Sequence, residues 1–552
     1  MTTGQAESNR RHVLIAGAAL ATAAAAGRAA AQAPTPPAAP PAGLAAGGGS
    51  SKIFQVTETA TGKVQGIANG PTWEFRGIPY GAPTGGRNRF MPPQKPAPWK
   101  GVRECFAYTS VCPQTQADIR GEYGQLIMWD RQVGGMGEDC LSLNVWTTNV
   151  DRAARKPVFV SFHGGGFATG SGNAPGFDGK NLAYYADAVV VTVNHRLAAF
   201  GYTDLTGAGA PDAFKYAGVT GVMDLIASLQ WVRDNIENFG GDPGRVMIFG
   251  QSGGGAKTST VLAMPPGKGL FHRAAIQSGA ALRLVTPEQG AATAEKLLKQ
   301  LGIGKANMGD LQKVSWQQIL EAQTATGGNF SPVIGTDALP NHPFDPAAPA
   351  VSANVPIIVS TTLEDAALGL TNFDLTEAGL KSLFDQRFGG KGAELVALYR
   401  KYDPIATPFL IQAQALTDAG GRRSAYTLAA RKAAQGGAPA YMYEWNWRTP
   451  AYDGKFGAVH GIDVSASFHS YRDGFFAGST SGKKMADRLA SSWAAFAATG
   501  DPNNAHLPPW KPYDDKGRAV MIFDNDTRQD FNPRAEIRAY WDAHAPAPGP
   551  RG

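Results

Sequence analysis

Cysteine is scarce in this sequence. Only Cys105, Cys112 and Cys140 occur in 552 residues, so at most one disulfide can form within the chain. Long basic runs are missing too. Lys and Arg are scattered, and the net charge of +6 falls to +4 once the first 33 residues, with Arg10, Arg11 and Arg28 against Glu7, are set aside. So small a balance over so long a chain argues against nucleic acid as a partner. Past the N-terminus, no uninterrupted apolar stretch is long enough to span a bilayer, which argues against stable membrane insertion. There is no internal repeat, and beyond about residue 50 no linker-like stretch divides the chain.

What is present is a globular composition, 43% hydrophobic and 17% charged, with ample material for one large core. The first 33 residues read as an export signal. Arg10-Arg11 precede an apolar run from Val13 to Ala26, and Ala31-Gln32-Ala33 offers a small-residue cleavage site. The paired arginines resemble a twin-arginine signal, with a general secretory signal as the alternative; either directs the chain to the periplasm or outside the cell. Residues 34–50 are Pro, Ala and Gly, a linker composition. Residues 51–552 then read as one domain.

Within that domain, Val64–Ile67 and Trp73–Tyr80 alternate like short antiparallel strands. Pro157–Phe162, Ala188–Asn194, His272–Gln277, Val355–Ser360 and Ala440–Trp445 are continuous apolar or nearly apolar runs, and Gly221–Val232 has helical spacing. Continuous apolar strands alternating with helices predict an α/β fold, a mostly parallel sheet covered on both faces. Residues 287–330 and 370–435 look helical and fairly polar, and are expected to form a cap over the sheet's carboxyl edge, where ligands bind in such folds.

One stretch organises the rest. Arg245–Phe249 reads as a buried strand, Gly250-Gln251-Ser252-Gly253-Gly254 as a tight turn, and Ala256–Ala263 as a helix. Strand, Gly-x-Ser-x-Gly and helix, in that order, are the context of a nucleophile elbow with Ser252 at its apex. Acyl transfer also needs donors for an oxyanion. His163-Gly164-Gly165-Gly166-Phe167 follows directly on the strand ending at Phe162. There the N–H groups of Gly165 and Gly166, with that of Gly253, can form a three-donor hole. The same glycines do not fit a dinucleotide site, because their spacing is wrong for Gly-x-Gly-x-x-Gly.

Several motifs together are similar to the type-B carboxylesterase family of α/β-hydrolases, which includes bacterial carboxylesterases and cholinesterases. They are Phe75-Arg76-Gly77-Ile78-Pro79-Tyr80, Glu138-Asp139-Cys140-Leu141-Ser142-Leu143-Asn144-Val145, the His163 glycine loop and Val193-Asn194-His195-Arg196-Leu197. The longest runs from Leu229 to Pro243 and leads into the elbow. Phe271-His272-Arg273-Ala274 with Gln277-Ser278-Gly279 matches as well, so six motifs stand in family order, and the resemblance runs from about residue 53 to 540. The resemblance implies an α/β-hydrolase fold with a helical cap and a serine esterase that needs no metal or organic cofactor. It implies His460, in Gly457-Ala458-Val459-His460-Gly461-Ile462-Asp463, as the base, with His469 as its rival. It places the acid after the strand Pro356–Val359, at Asp365, where the family usually has Glu; Glu364 is the alternative acid. The order Ser252, Asp365, His460 is that of the fold's triads.

The resemblance further pairs Cys112 with Cys140 in a disulfide and leaves Cys105 free. Trp129, Gln251 and Phe167 are candidates for the substrate gorge. Trp129 sits roughly where cholinesterases hold a quaternary ammonium, or is simply a lid aromatic. Gln251 replaces the Glu that the family usually places before its nucleophile. The expectation is therefore a serine carboxylic-ester hydrolase acting on small, uncharged esters. An amidase or carbamate hydrolase on the same triad is the alternative, and a non-catalytic adhesion-type relative is a more distant one.

Overall fold

The computed structural model describes residues 53–115, 121–129, 133–472 and 474–544. The export signal and linker expected at 1–50 lie outside the described residues, as does Asp130 beside Trp129. Residues Lys52–Gly552 form one compact unit.

Seven parallel strands make the centre of the sheet. In spatial order they are Val189–Val193, Lys156–Phe162, Gly241–Gln251, Arg273–Gln277, Ile357–Thr362, Ala440–Trp445 and Ala519–Phe523. Antiparallel strands extend it. Ser142–Thr147, Thr72–Pro79, Gly62–Asn69 and Phe54–Thr59 lie on one side, and Arg528–Phe531 closes the other. The mostly parallel sheet read from the sequence is what forms, and the physical reason is burial on both faces. Val158, Val160, Val246, Ile248, Ile276 and Val359 belong to one core, whereas Phe159, Met247, Phe249, Ala275 and Ile358 belong to the other. Alternate residues of one strand thus enter opposite cores, so nearly every position must be apolar.

Helices cover both faces. Thr220–Asn235, Gly253–Leu262 and Arg423–Ala434 contribute to the first core, and Lys180–Tyr185 and Thr480–Thr499 to the second. The segments expected as a cap are helical, at Pro287–Gln300, Trp316–Thr326, Glu377–Arg387, Gly392–Tyr402 and Pro408–Thr417. They do not share one layer: Leu297 and Ile319 join the first core, and Leu380, Leu395 and Phe409 the second. The last stretch of the expected cap, Arg423–Ala434, instead packs on the strands Ile357–Thr362 and Ala440–Trp445 as the crossover between them. Among the described residues no helix is long and apolar enough to cross a membrane.

Register brings the site together. Phe162 pairs with Gly250, Gln251 with Gln277, and Gln277 with Ser360. The glycine loop, the elbow and the turn carrying Asp365 therefore leave the sheet at neighbouring points on its carboxyl edge.

Candidate active site

Ser252 has φ 61° and ψ −123°, a backbone state that L-residues occupy only when the surroundings impose it. Its N–H donates to the carbonyl of Gln277 at 2.8 Å, and its carbonyl accepts from Ala256 at 3.0 Å. Strand and helix thus clamp the turn from both ends. A β-carbon at Gly250 would lie 2.5 Å from the backbone of Gly254 and of Phe162, and one at Gly254 would lie 2.0 Å from the Phe162 carbonyl. The turn closes only with glycine there. Ser252 is half-buried between buried neighbours, so the apex of the turn is its most accessible point.

The helix Gly253–Leu262 begins on Ser252, so the first N–H groups of that helix point at the serine with no partner inside it. A β-carbon on Gly253 would come within 2.3 Å of the backbone nitrogen of Gly166. The glycine loop and the helix N-terminus therefore meet face to face. Gly165 and Gly166 have φ of 86° and 62°, and the Gly165 carbonyl is turned away to accept from Ala168 and Thr169. Of the amides named as oxyanion donors, those of Gly166 and Gly253 are thus brought together next to Ser252.

Behind this loop lies a residue that sequence reasoning missed. Lys257 is fully buried, and its ammonium donates to the carbonyl of His163 at 2.8 Å. Burial pushes its pKa well below that of an ordinary lysine. The His163 ring stacks on His195 with centroids 4.9 Å apart. Lys257 tethers the first residue of the glycine loop to the helix behind Ser252. The sequence places Lys257 only on the helix after the elbow and carries no signal of its burial.

Asp365 and Glu364, adjacent in sequence, have separate partners. The Asp365 carboxylate bonds to Nδ1 of His460. Glu364 is fully buried and turns the other way. It accepts from Arg448 Nη2 at 2.5 Å, from Gln414 Nε2 at 2.9 Å and from the Ala458 N–H at 2.8 Å. Arg448 also pairs with Asp403. Glu364 therefore anchors the segment that carries the histidine and does not reach the ring. His460 is 8% exposed, and its carbonyl accepts from Tyr123 Oη at 2.7 Å. The next residue, Gly461, lies against the side chain of Gln251: a β-carbon there would be 3.6 Å from the Gln251 amide oxygen. That contact sets the histidine segment beside the elbow. The rival His469 is engaged elsewhere, with Asp487 at 2.9 Å and stacked on Tyr185.

Asp463, one turn beyond His460, is fully buried. Its Oδ2 accepts from Tyr443 Oη at 2.7 Å and Gln277 Nε2 at 3.0 Å. Burial pushes its pKa up to about 6, with nearby Asp365 adding to the rise and His460 opposing it. Gln251 is 3% exposed, and its Nε2 has no acceptor among the described residues.

Of the candidate gorge residues, half-buried Trp129 lies against Gly164, whose β-carbon would meet the indole at 2.7 Å. Phe167 packs in the core, edge-on to Tyr202 at 5.4 Å. The expected disulfide is not formed. All three cysteines are free and buried. Cys112 and Cys140 lie close together as thiols, and the Leu197 N–H donates to the Cys112 sulfur at 3.2 Å. Buried thiols are poor thiolates: desolvation holds Cys112 well above the ordinary value and Cys105 at about 12.

A strained serine at an elbow, facing amides and a histidine held by a carboxylate are the parts that acyl transfer requires. Comparison with known proteins identifies the lineage. The model of the carboxylesterase family matches residues 54–403 and 410–541. The chain belongs to the carboxylesterase family. It is an enzyme, a carboxylic-ester hydrolase. The para-nitrobenzyl esterase of Bacillus subtilis is 32% identical over 498 residues, 88% of this carboxylesterase and 98% of the relative. The phenmedipham hydrolase of Pseudarthrobacter oxydans is 29% identical over 85% of this chain and 94% of its own. Among solved structures, the Geobacillus stearothermophilus carboxylesterase superposes with a TM-score of 0.75 at 30% identity, over 88% of this chain and 99% of that one. An esterase of Clostridium hathewayi that can hydrolyze aliphatic aromatic polyesters has a TM-score of 0.77 at 32% identity, over 89% and 98%.

Proposed function

We propose that this carboxylesterase works through a covalent acyl-enzyme on small, uncharged esters, with Ser252 as nucleophile, His460 as base and Asp365 as orienting acid. The observation that carries the assignment is the His460–Asp365 bond at Nδ1. It fixes the imidazole so that Nε2 is the nitrogen left for the serine proton. Ser252 Oγ attacks the ester carbonyl as His460 takes its proton. The amides of Gly165, Gly166 and Gly253 bind the oxyanion, and His460 returns the proton to the departing alkoxide. Water activated by the same histidine then releases the acid.

The substrate reading rests on Gln251. A carboxylate before the nucleophile would favour a cationic substrate; a neutral amide gives no such attraction. Trp129 offers an aromatic face worth roughly 0.5–2 kcal/mol to a cation, too little alone to build a cation site against water. The test compares kcat/KM for a choline ester with its neutral isostere, in which carbon replaces the ammonium nitrogen. The neutral ester should be preferred. A choline preference of about tenfold, abolished by Trp129→Ala, would contradict the reading. Phenmedipham hydrolase stands among the relatives, which makes hydrolysis of a carbamate on the same triad the second reading.

The unit begins near residue 51, and the segment before it is read as an export signal because Arg10-Arg11, an apolar run and a small-residue cleavage site stand in order. Export would carry the Cys112–Cys140 thiol pair into an oxidising compartment, where it could close to a disulfide.

A further inference from the structure

Away from the candidate active site, a cavity of about 150 Å³ opens between the helix Arg423–Ala434, the strand Ala440–Trp445 and the helix Ala535–His544. Its lining is rich in arginine, and all but one of those charges have acidic partners. Arg422 pairs with Asp418 and lies 3.7 Å from Glu444. Arg534 reaches Asp418 and Glu444, each at 3.2 Å. Arg518 bonds to Asp515, and Arg423 stands 3.9 Å from Asp542. Arg538 is the exception. Its guanidinium stacks over the Tyr426 ring at 4.7 Å, and the buried Nη1 and Nη2 have no acceptor among the described residues.

Burying two guanidinium nitrogens unpaired is costly, and their fork matches a planar pair of oxygens. We propose that this cavity binds a small organic monocarboxylate, its two oxygens on Arg538 and its carbon chain or ring against Tyr426, Ile537 and Trp541. The charge count favours a monoanion. Only one positive charge is uncompensated, so a phosphate dianion would leave excess negative charge beside Glu444, Asp515 and Asp542. The acids that a carboxylesterase releases belong to this chemical class, so its own products are candidate occupants.

The test is calorimetric titration of the full-length protein with propionate, benzoate and inorganic phosphate at constant ionic strength, with chloride as control. Ser252 is blocked beforehand so that carboxylates at the active site do not contribute. One saturable carboxylate site is expected, weakened about tenfold or more by Arg538→Gln and less by Arg538→Lys, which keeps charge but loses the fork. Phosphate should bind more weakly than either carboxylate. Undiminished carboxylate binding in both variants, no saturable binding in the parent, or phosphate binding tighter than benzoate would overturn the proposal. If Arg538→Gln does not fold, Arg538→Lys decides alone: affinity equal to the parent counts against the fork.

Discussion

Glu364 and Val459 face each other across an isolated parallel bridge. The Glu364 N–H donates to the Ala458 carbonyl, and the Glu364 side chain accepts from the Ala458 N–H. Two chain segments nearly a hundred residues apart are thereby locked in register, and the next residue on each side is Asp365 and His460. One acid sets the register and its neighbour holds the ring.

That division of labour separates two variants. Asp365→Asn should lower kcat by roughly 10⁴-fold, on the serine-protease precedent, with little change in Tm. Glu364→Gln breaks a buried pair with Arg448, at a cost on the order of 3 kcal/mol, and should show chiefly as a lower Tm. Thermal unfolding and kcat measured on both variants check this. Near-normal kcat in Asp365→Asn, with Glu364→Gln folded but inactive, would reverse the roles.

Asp463 makes stability depend on pH. Its pKa is raised from 3.8 to about 6, so the folded state holds the proton more tightly than the unfolded chain. The stabilisation is therefore fully present below about pH 4 and is lost as pH rises through about 6. A shift of this size corresponds to roughly 3 kcal/mol. Asp463→Asn cannot ionise, so its Tm relative to the parent should climb between pH 4 and 6.5 and then level off. Scanning fluorimetry across that range measures the difference, and a constant difference would show that Asp463 does not titrate there.

The thiol pair gives a redox prediction. Mild oxidation should link Cys112 to Cys140 and leave Cys105 open to alkylation after unfolding, as read by peptide mass mapping. Closing a loop of about 28 residues should add on the order of 3 kcal/mol in the chain-entropy model, seen as a higher Tm. A linkage involving Cys105 would contradict the thiol geometry.

Much of the fold was legible because the parallel strands are apolar on both faces. Of the strands that escaped notice, two are only slightly or partly buried, whereas Ser142–Thr147 and Ala519–Phe523 are fully buried. Phe54–Thr59 is largely exposed or half-buried, and Arg528–Phe531 is polar at an edge. Ser142–Thr147 is fully buried, but its Ser and Asn obscure the apolar run, and Asn144 is buried because its amide oxygen accepts from the Gly77 N–H. At the site, Ser252 and its glycines were legible since local sterics dictate them. The separate tasks of Glu364 and Asp365, and the burial of Lys257, were not. They depend on which distant segments meet: Arg448 and Ala458 for the first pair, the His163 carbonyl for the lysine.

Reaction with an organophosphonate that carries a good leaving group tests the central claim most directly. Mass spectrometry of the labelled protein should find one adduct per chain, on Ser252, in step with loss of ester hydrolysis, and Ser252→Ala should neither label nor turn over. Stoichiometric labelling at another residue, or full activity in Ser252→Ala, would contradict the account.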